Sequence, residues 1–80
     1  MKIPDRINAR WIATLVDDQL VAAEADLHAD FRRYESAEKT RSGARYVLLQ
    51  GPSDLVNAWH RWLLVNNETR RRGLVVYRRA

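Results

Sequence analysis

Two histidines, a serine–aspartate step and ten carboxylates are the side chains of this 80-residue sequence that acid–base chemistry would use. His28 stands one helical turn after Glu24 and one before Arg32, a spacing that reads as a solvated surface histidine. His60 sits between Trp59 and Arg61, off the main apolar stripe. Ser53 and Asp54 follow Gly51-Pro52, where their plain use is to cap a helix. Catalysis needs a base within hydrogen-bond reach of a nucleophile, in a cleft that excludes water. No G-x-S-x-G, P-loop or H-E-x-x-H pattern occurs, and Gly43 and Gly51 are too isolated to cradle a phosphate. The sequence predicts no enzyme and no catalytic residue. Cysteine is absent, so there are no disulfides and no thiolate ligands, and two histidines make a structural zinc improbable. Neither a metal nor a cofactor is expected.

Charge is the second chemical resource. The net charge is +4, unevenly spread. Residues 1–38 hold five basic and eight acidic side chains, a net of −3, whereas residues 39–80 hold nine basic and two acidic ones, a net of +7. A basic half suits nucleic acid or an acidic protein surface. Arg70, Arg71, Arg72, Arg78 and Arg79 form a cluster with Tyr77 beside it, and guanidinium forks with an aromatic ring suit phosphates and unstacked bases. The helix that would read a DNA groove offers only Asn57, His60 and Arg61 to bases, and its surface is mostly apolar. Two structural roles compete for the same arginines. Cations are favourable at a helix C-terminus, and a basic second arm folded on an acidic first arm would neutralise it.

The third resource is apolar. Leu55, Trp59, Trp62, Leu63 and Asn66 recur at helical spacing, and Val56, Leu64 and Val65 widen that sector beyond what one hairpin partner covers. Three tryptophans are many for a two-layer hairpin. Interfaces are rich in Trp, Tyr and Arg. The expected partner-binding residues are therefore Trp59, Trp62 and Leu63 as apolar anchors, with Arg70, Arg71 and Arg72 as charge complement. Trp11 is expected to close the core.

These residues need elements to hold them. Pro4 suits a first helical turn, and Ile7, Trp11 and Leu15 then recur every four residues, which predicts a short helix over about 4–14. Asp17 and Asp18 look like a helix restart, though one bent helix would also fit. Leu20, Ala23, Leu27, Phe31 and Tyr34 form one stripe, with Asp30–Arg33 and Glu35–Lys39 as supporting charge pairs. The stripe turns polar after Tyr34, so residues 36–45 read as solvated helix or as loop. No proline stops a helix running from Asp17 to Gln50, about 50 Å at 1.5 Å per residue. Gly51 and Pro52 end it, Ser53 or Asp54 caps the next helix, and that helix runs to about Arg72 with Gly73 as terminator. Leu74-Val75-Val76-Tyr77 has β-branched character and predicts a short extended C-terminal tail.

The fold expected is all-α, one domain over 1–80, a helical hairpin with a short N-terminal helix. A chain of this size builds a marginal core, and pairing hairpins into a helical bundle as a homodimer would relieve it. No signal sequence or stretch of about 20 apolar residues is present, so a cytoplasmic location and no membrane contact are expected. The function expected is a non-enzymatic interaction module, a regulator or inhibitor that docks on a protein. The alternative is a small nucleic-acid-binding regulator using Arg70, Arg71, Arg72, Tyr77, Arg78 and Arg79. In size and lack of catalytic motifs the chain is similar to small phage- or plasmid-encoded regulators and inhibitors, including anti-CRISPR proteins. That resemblance implies docking on protein and carries over no residues.

Overall fold

Asn8 opens the first helix by accepting a hydrogen bond from the Trp11 N–H at 2.8 Å. It satisfies one of the amides that every helix start leaves unpaired. The computed structural model describes residues 2–42 and 53–74. Helix α1 spans Ala9–Ala13, so it is shorter than the expected 4–14. Pro4 lies ahead of it, and its carbonyl accepts from Arg61 Nη2 at 2.9 Å. Thr14 ends α1, its hydroxyl donating to the Trp11 carbonyl at 2.6 Å.

The restart at Asp17 is real. Helix α2 spans Asp17–Ser42, with Asp17 and Asp18 in its first turn, where acidic groups complement the dipole. Val16 cannot cap with its own side chain, and Gln19 reaches back instead, its Oε1 accepting the Val16 N–H at 3.1 Å. This is the returning half of a capping box. The expected continuation of this helix through 43–50 lies outside the described residues, as does the extended tail from 75 onward.

Helix α3 spans Ser53–Arg71. It ends as Gly73 predicts. Gly73 adopts φ +75°, its N–H donates to the Arg70 carbonyl at 3.0 Å, and the Leu74 N–H donates to the Thr69 carbonyl at 2.9 Å. Both bonds of a Schellman cap are present, and Leu74 packs back on the core as that motif favours.

Helices α2 and α3 pack antiparallel, as Asp17 meets Arg72, Glu24 meets Trp62 and Asn66, and Phe31 shares a cluster with Leu55 and Ala58. Leu20, Ala23, Leu27 and Phe31 are buried on one helix, and Leu55, Ala58, Trp62 and Val65 on the other. Removing the larger of these side chains, leucine, valine and phenylalanine, from water stabilises the fold by about 1.5–3 kcal/mol each. Tyr34 departs from the expected stripe. It is 37% exposed, and Glu35 is buried in its place, with Arg32 at 2.7 Å and Lys39 at 3.9 Å to neutralise it.

The N-terminal segment forms a third layer. Ile3, Ile7 and Trp11 pack on the α2–α3 core, and Ile12 and Leu15 are buried within it. The N-terminal segment thus covers, within one chain, the tryptophan-bearing surface that suggested a homodimer. Among the described residues no helix is long and apolar enough to cross a membrane.

Candidate functional site

Trp62 is the clearest correction to the partner-binding set. It is 2% exposed, its ring stacks on Phe31 at 5.9 Å, and its Nε1–H donates to Glu24 Oε2 at 2.7 Å. It belongs to the core and offers no surface to a partner. Trp59 is half-buried between the two core clusters, and its ring edge meets His60 at 4.9 Å. Leu63 is half-buried against the core. Trp11 packs on the core as expected. His28 is also placed differently from expectation. It is half-buried, its ring edge-on to Trp62 at 5.3 Å.

The arginine cluster splits into three different situations. Arg70 is exposed and ion-paired to no described residue. Arg71 places Nε and Nη2 on the two oxygens of Glu68 at 2.7 and 2.6 Å, with 72% of its side chain exposed. Arg72 turns the other way. Its Nε donates to Glu68 at 2.8 Å, while its Nη atoms reach the Leu15 carbonyl at 2.8 Å, the Ile12 carbonyl at 3.2 Å and Asp17 at 3.2 Å. Arg72 is a strap between the end of α3 and the α1–α2 junction. The hydrogen bonds from Arg71 and then Arg72 hold the Glu68 carboxyl at a pKa of about 2, well below the usual carboxylate range. Both guanidiniums are raised in turn, chiefly by their hydrogen bonds to Glu68. Tyr77, Arg78 and Arg79 lie outside the described residues.

Neutralisation between the arms is narrower than the charge split suggests. Only Arg72–Asp17 and Arg61–Asp30, at 3.2 and 4.0 Å, join the two arms among the described residues. The other ion pairs lie within one helix, including the expected Asp30–Arg33 and Glu35–Lys39.

An open groove lies between α1 and α3. Ala9, Ile12 and Ala13 line one side, and Leu64, Asn67, Glu68 and Arg71 the other, around a volume of about 400 Å³. Leu64 is 46% exposed there. A second depression of about 310 Å³, lined by Tyr34, Glu38, Arg41 and Asp54 among others, lies between α2 and α3 and is more polar.

No family model matches this chain, and no curated protein or solved structure is similar to it. Among the described residues no three histidines or carboxylates gather to hold a metal ion. The α1–α3 groove offers a small apolar floor beside one exposed guanidinium. Sequence reasoning registered Leu64 only as excess apolar surface and did not pick out Ala9, Ala13 or Asn67. The available signal was the run Leu64, Asn67, Arg71 at spacings of three and four, one helical face.

Proposed function

We propose that this chain is a non-enzymatic protein-binding module whose α1–α3 groove receives an acidic amphipathic helix of a partner protein. The observation that carries the reading is the groove itself, with Leu64 exposed over an apolar floor and Arg71 at its edge. A helix laid in such a groove presents an apolar residue to Leu64, Ala9 and Ala13 and a carboxylate one turn away. Arg71 spends Nε and Nη2 on Glu68, so Nη1 remains to donate to that carboxylate. Glu68 is already held by two guanidiniums and repels an incoming anion little. Arg70, and Arg10 next to the groove residue Ala9, are exposed and ion-paired to no described residue, and they extend the basic rim.

The same facts weaken the nucleic-acid reading. Of the cluster's described arginines, Arg70, Arg71 and Arg72, two are engaged with Glu68, and Arg72 is almost wholly committed to holding the fold; Arg78 and Arg79 lie outside the described residues. The deciding experiment is fluorescence anisotropy of the full chain against a labelled leucine–glutamate amphipathic peptide, a leucine–lysine peptide and a random DNA duplex, across salt. Binding of the acidic peptide, weakened about tenfold or more by Leu64→Asp, supports the groove. Duplex binding with a steep salt slope, and none of the acidic peptide, overturns it in favour of phosphate contacts.

A further inference from the structure

The break between α1 and α2 has no covalent cause. From Ala9 to Ser42 the sequence contains neither glycine nor proline, and Thr14 already holds right-handed helical angles. A continuous helix would have the Ile12 carbonyl accept from Val16 N–H and the Leu15 carbonyl accept from Gln19 N–H. Those two carbonyls instead accept from Arg72 at 3.2 and 2.8 Å. Val16 N–H is diverted to the Gln19 side chain, and Leu15 N–H tightens onto Ile12 at 3.1 Å. The kink therefore stands on one guanidinium supplied from the far end of the chain and on side-chain caps. The arm it folds back is only five helical residues long and is held mainly by Ile3, Ile7, Trp11, Ile12 and the Arg61–Pro4 bond.

We propose that this chain interconverts between the closed monomer and an arm-exchanged dimer, with Arg72 as the latch. In the dimer Ala9–Ser42 is one helix. The arm then projects away from its own hairpin, and residues 3–12 of each copy cover the α2–α3 face of the other. The occupant of that face is fixed by the structure, because the same segment already fits it within one chain. Exchange of an identical element between copies makes a closed two-fold pair at low cost, since every closed contact is remade except those at the hinge. What is exchanged at the hinge is the set of Arg72–carbonyl bonds and the side-chain caps for ordinary helix bonds from the N–H groups of residues 15–19. The inference does not depend on the groove's partner.

The test is light scattering on size-exclusion fractions of the full chain over a concentration series. Arg72→Ala takes the guanidinium from the Leu15 carbonyl and leaves the Ile12 carbonyl with the Leu15 N–H alone, and it is expected to raise the dimer association constant about tenfold or more, since hydrogen bonds to charged groups are the strong ones. Asp17→Pro places proline at the first position of α2, which the kinked form tolerates. In a fused helix the same ring would clash with the Ala13 carbonyl. The double variant Arg72→Ala/Asp17→Pro should therefore be monomeric, with Asp17→Asn as control for the lost carboxylate. An Arg72→Ala chain that is folded yet monomeric throughout, or that dimerises equally with Asp17→Pro present, overturns the proposal. If Arg72→Ala does not fold, the unmodified chain refolded from urea at high concentration decides. A dimer that Asp17→Pro abolishes supports arm exchange, and no dimer refutes it.

Discussion

The indole Nε1 of Trp62 donates to a carboxylate oxygen of Glu24 at 2.7 Å in a place where both side chains are sealed from solvent. Asn66 Nδ2 adds a longer bond to the same oxygen at 3.3 Å. A charged group taken out of water is tolerated only when its hydrogen-bonding needs are met. This pair therefore ties the first third of α2 to the middle of α3 at one register.

Trp62→Phe keeps an aromatic ring but removes the donor. We expect a loss of about 2–4 kcal/mol, from the partly emptied indole site and the weakened support of a buried carboxylate. Trp59→Phe should cost less, because no described residue accepts the Trp59 Nε1–H. Urea unfolding of the two variants, read at unchanged m-value, makes the comparison.

Adjacent arginines should behave differently. Arg72→Ala removes bonds to two carbonyls and two carboxylates and should lower the melting temperature clearly. Arg70→Ala touches no described ion pair and should leave it unchanged. Thermal unfolding followed by circular dichroism, at a concentration where both are monomeric, checks the contrast.

Glu68 gives a signed pH dependence. Its folded pKa is about 2, lowered from the value of 4.5 that it has without partners. A lowered carboxyl pKa contributes stability that is fully present above the unfolded pKa and is lost as pH falls through the folded one. Stability should thus decline between about pH 5 and pH 2, and Glu68→Gln should flatten that decline. The pairs are open to water, so added salt should shrink the effect. Chemical unfolding across this pH range, for both chains, measures it.

Gly73 offers a test of backbone strain alone. A Cβ at this position would meet nothing within 4 Å, so only the positive φ opposes a side chain. Gly73→Ala should cost about 1–2 kcal/mol, and Gly73→Asn less, since asparagine tolerates the left-handed region better. Urea midpoints of the three chains decide.

Local features were readable in advance. Asp17 and Asp18 marked a restart, Gly73 marked a stop, and Leu20, Ala23, Leu27 and Phe31 marked the buried face of α2. Each depends on neighbours within one or two turns. What escaped depends on residues far apart in the chain. Glu24 resembles any solvated helix glutamate until Trp62, 38 positions later, brings its N–H to it. Arg72 resembles its two neighbours until the Ile12 carbonyl, 60 positions earlier, accepts from it. Trp62 could be assigned to surface or core only once Glu24, His28 and Phe31 of α2 were known to face it. The α1–α3 groove was hidden for the same reason, since its two walls come from opposite ends of the described chain.

The N-terminal layer also has a consequence for synthesis. Residues 3–12 leave the ribosome before Arg61 and Arg72, which hold them and follow nearly sixty positions later. Until α3 has emerged, Ile3, Ile7 and Trp11 lack the Trp62 and Val65 side of the cluster that they pack on. The nascent chain therefore carries the apolar N-terminal end of this fold incompletely covered until α3 has emerged, and contacts of such long sequence separation close late. Slowing elongation across α3 should lengthen the interval in which that end is open to chaperones, proteases and other nascent copies of itself.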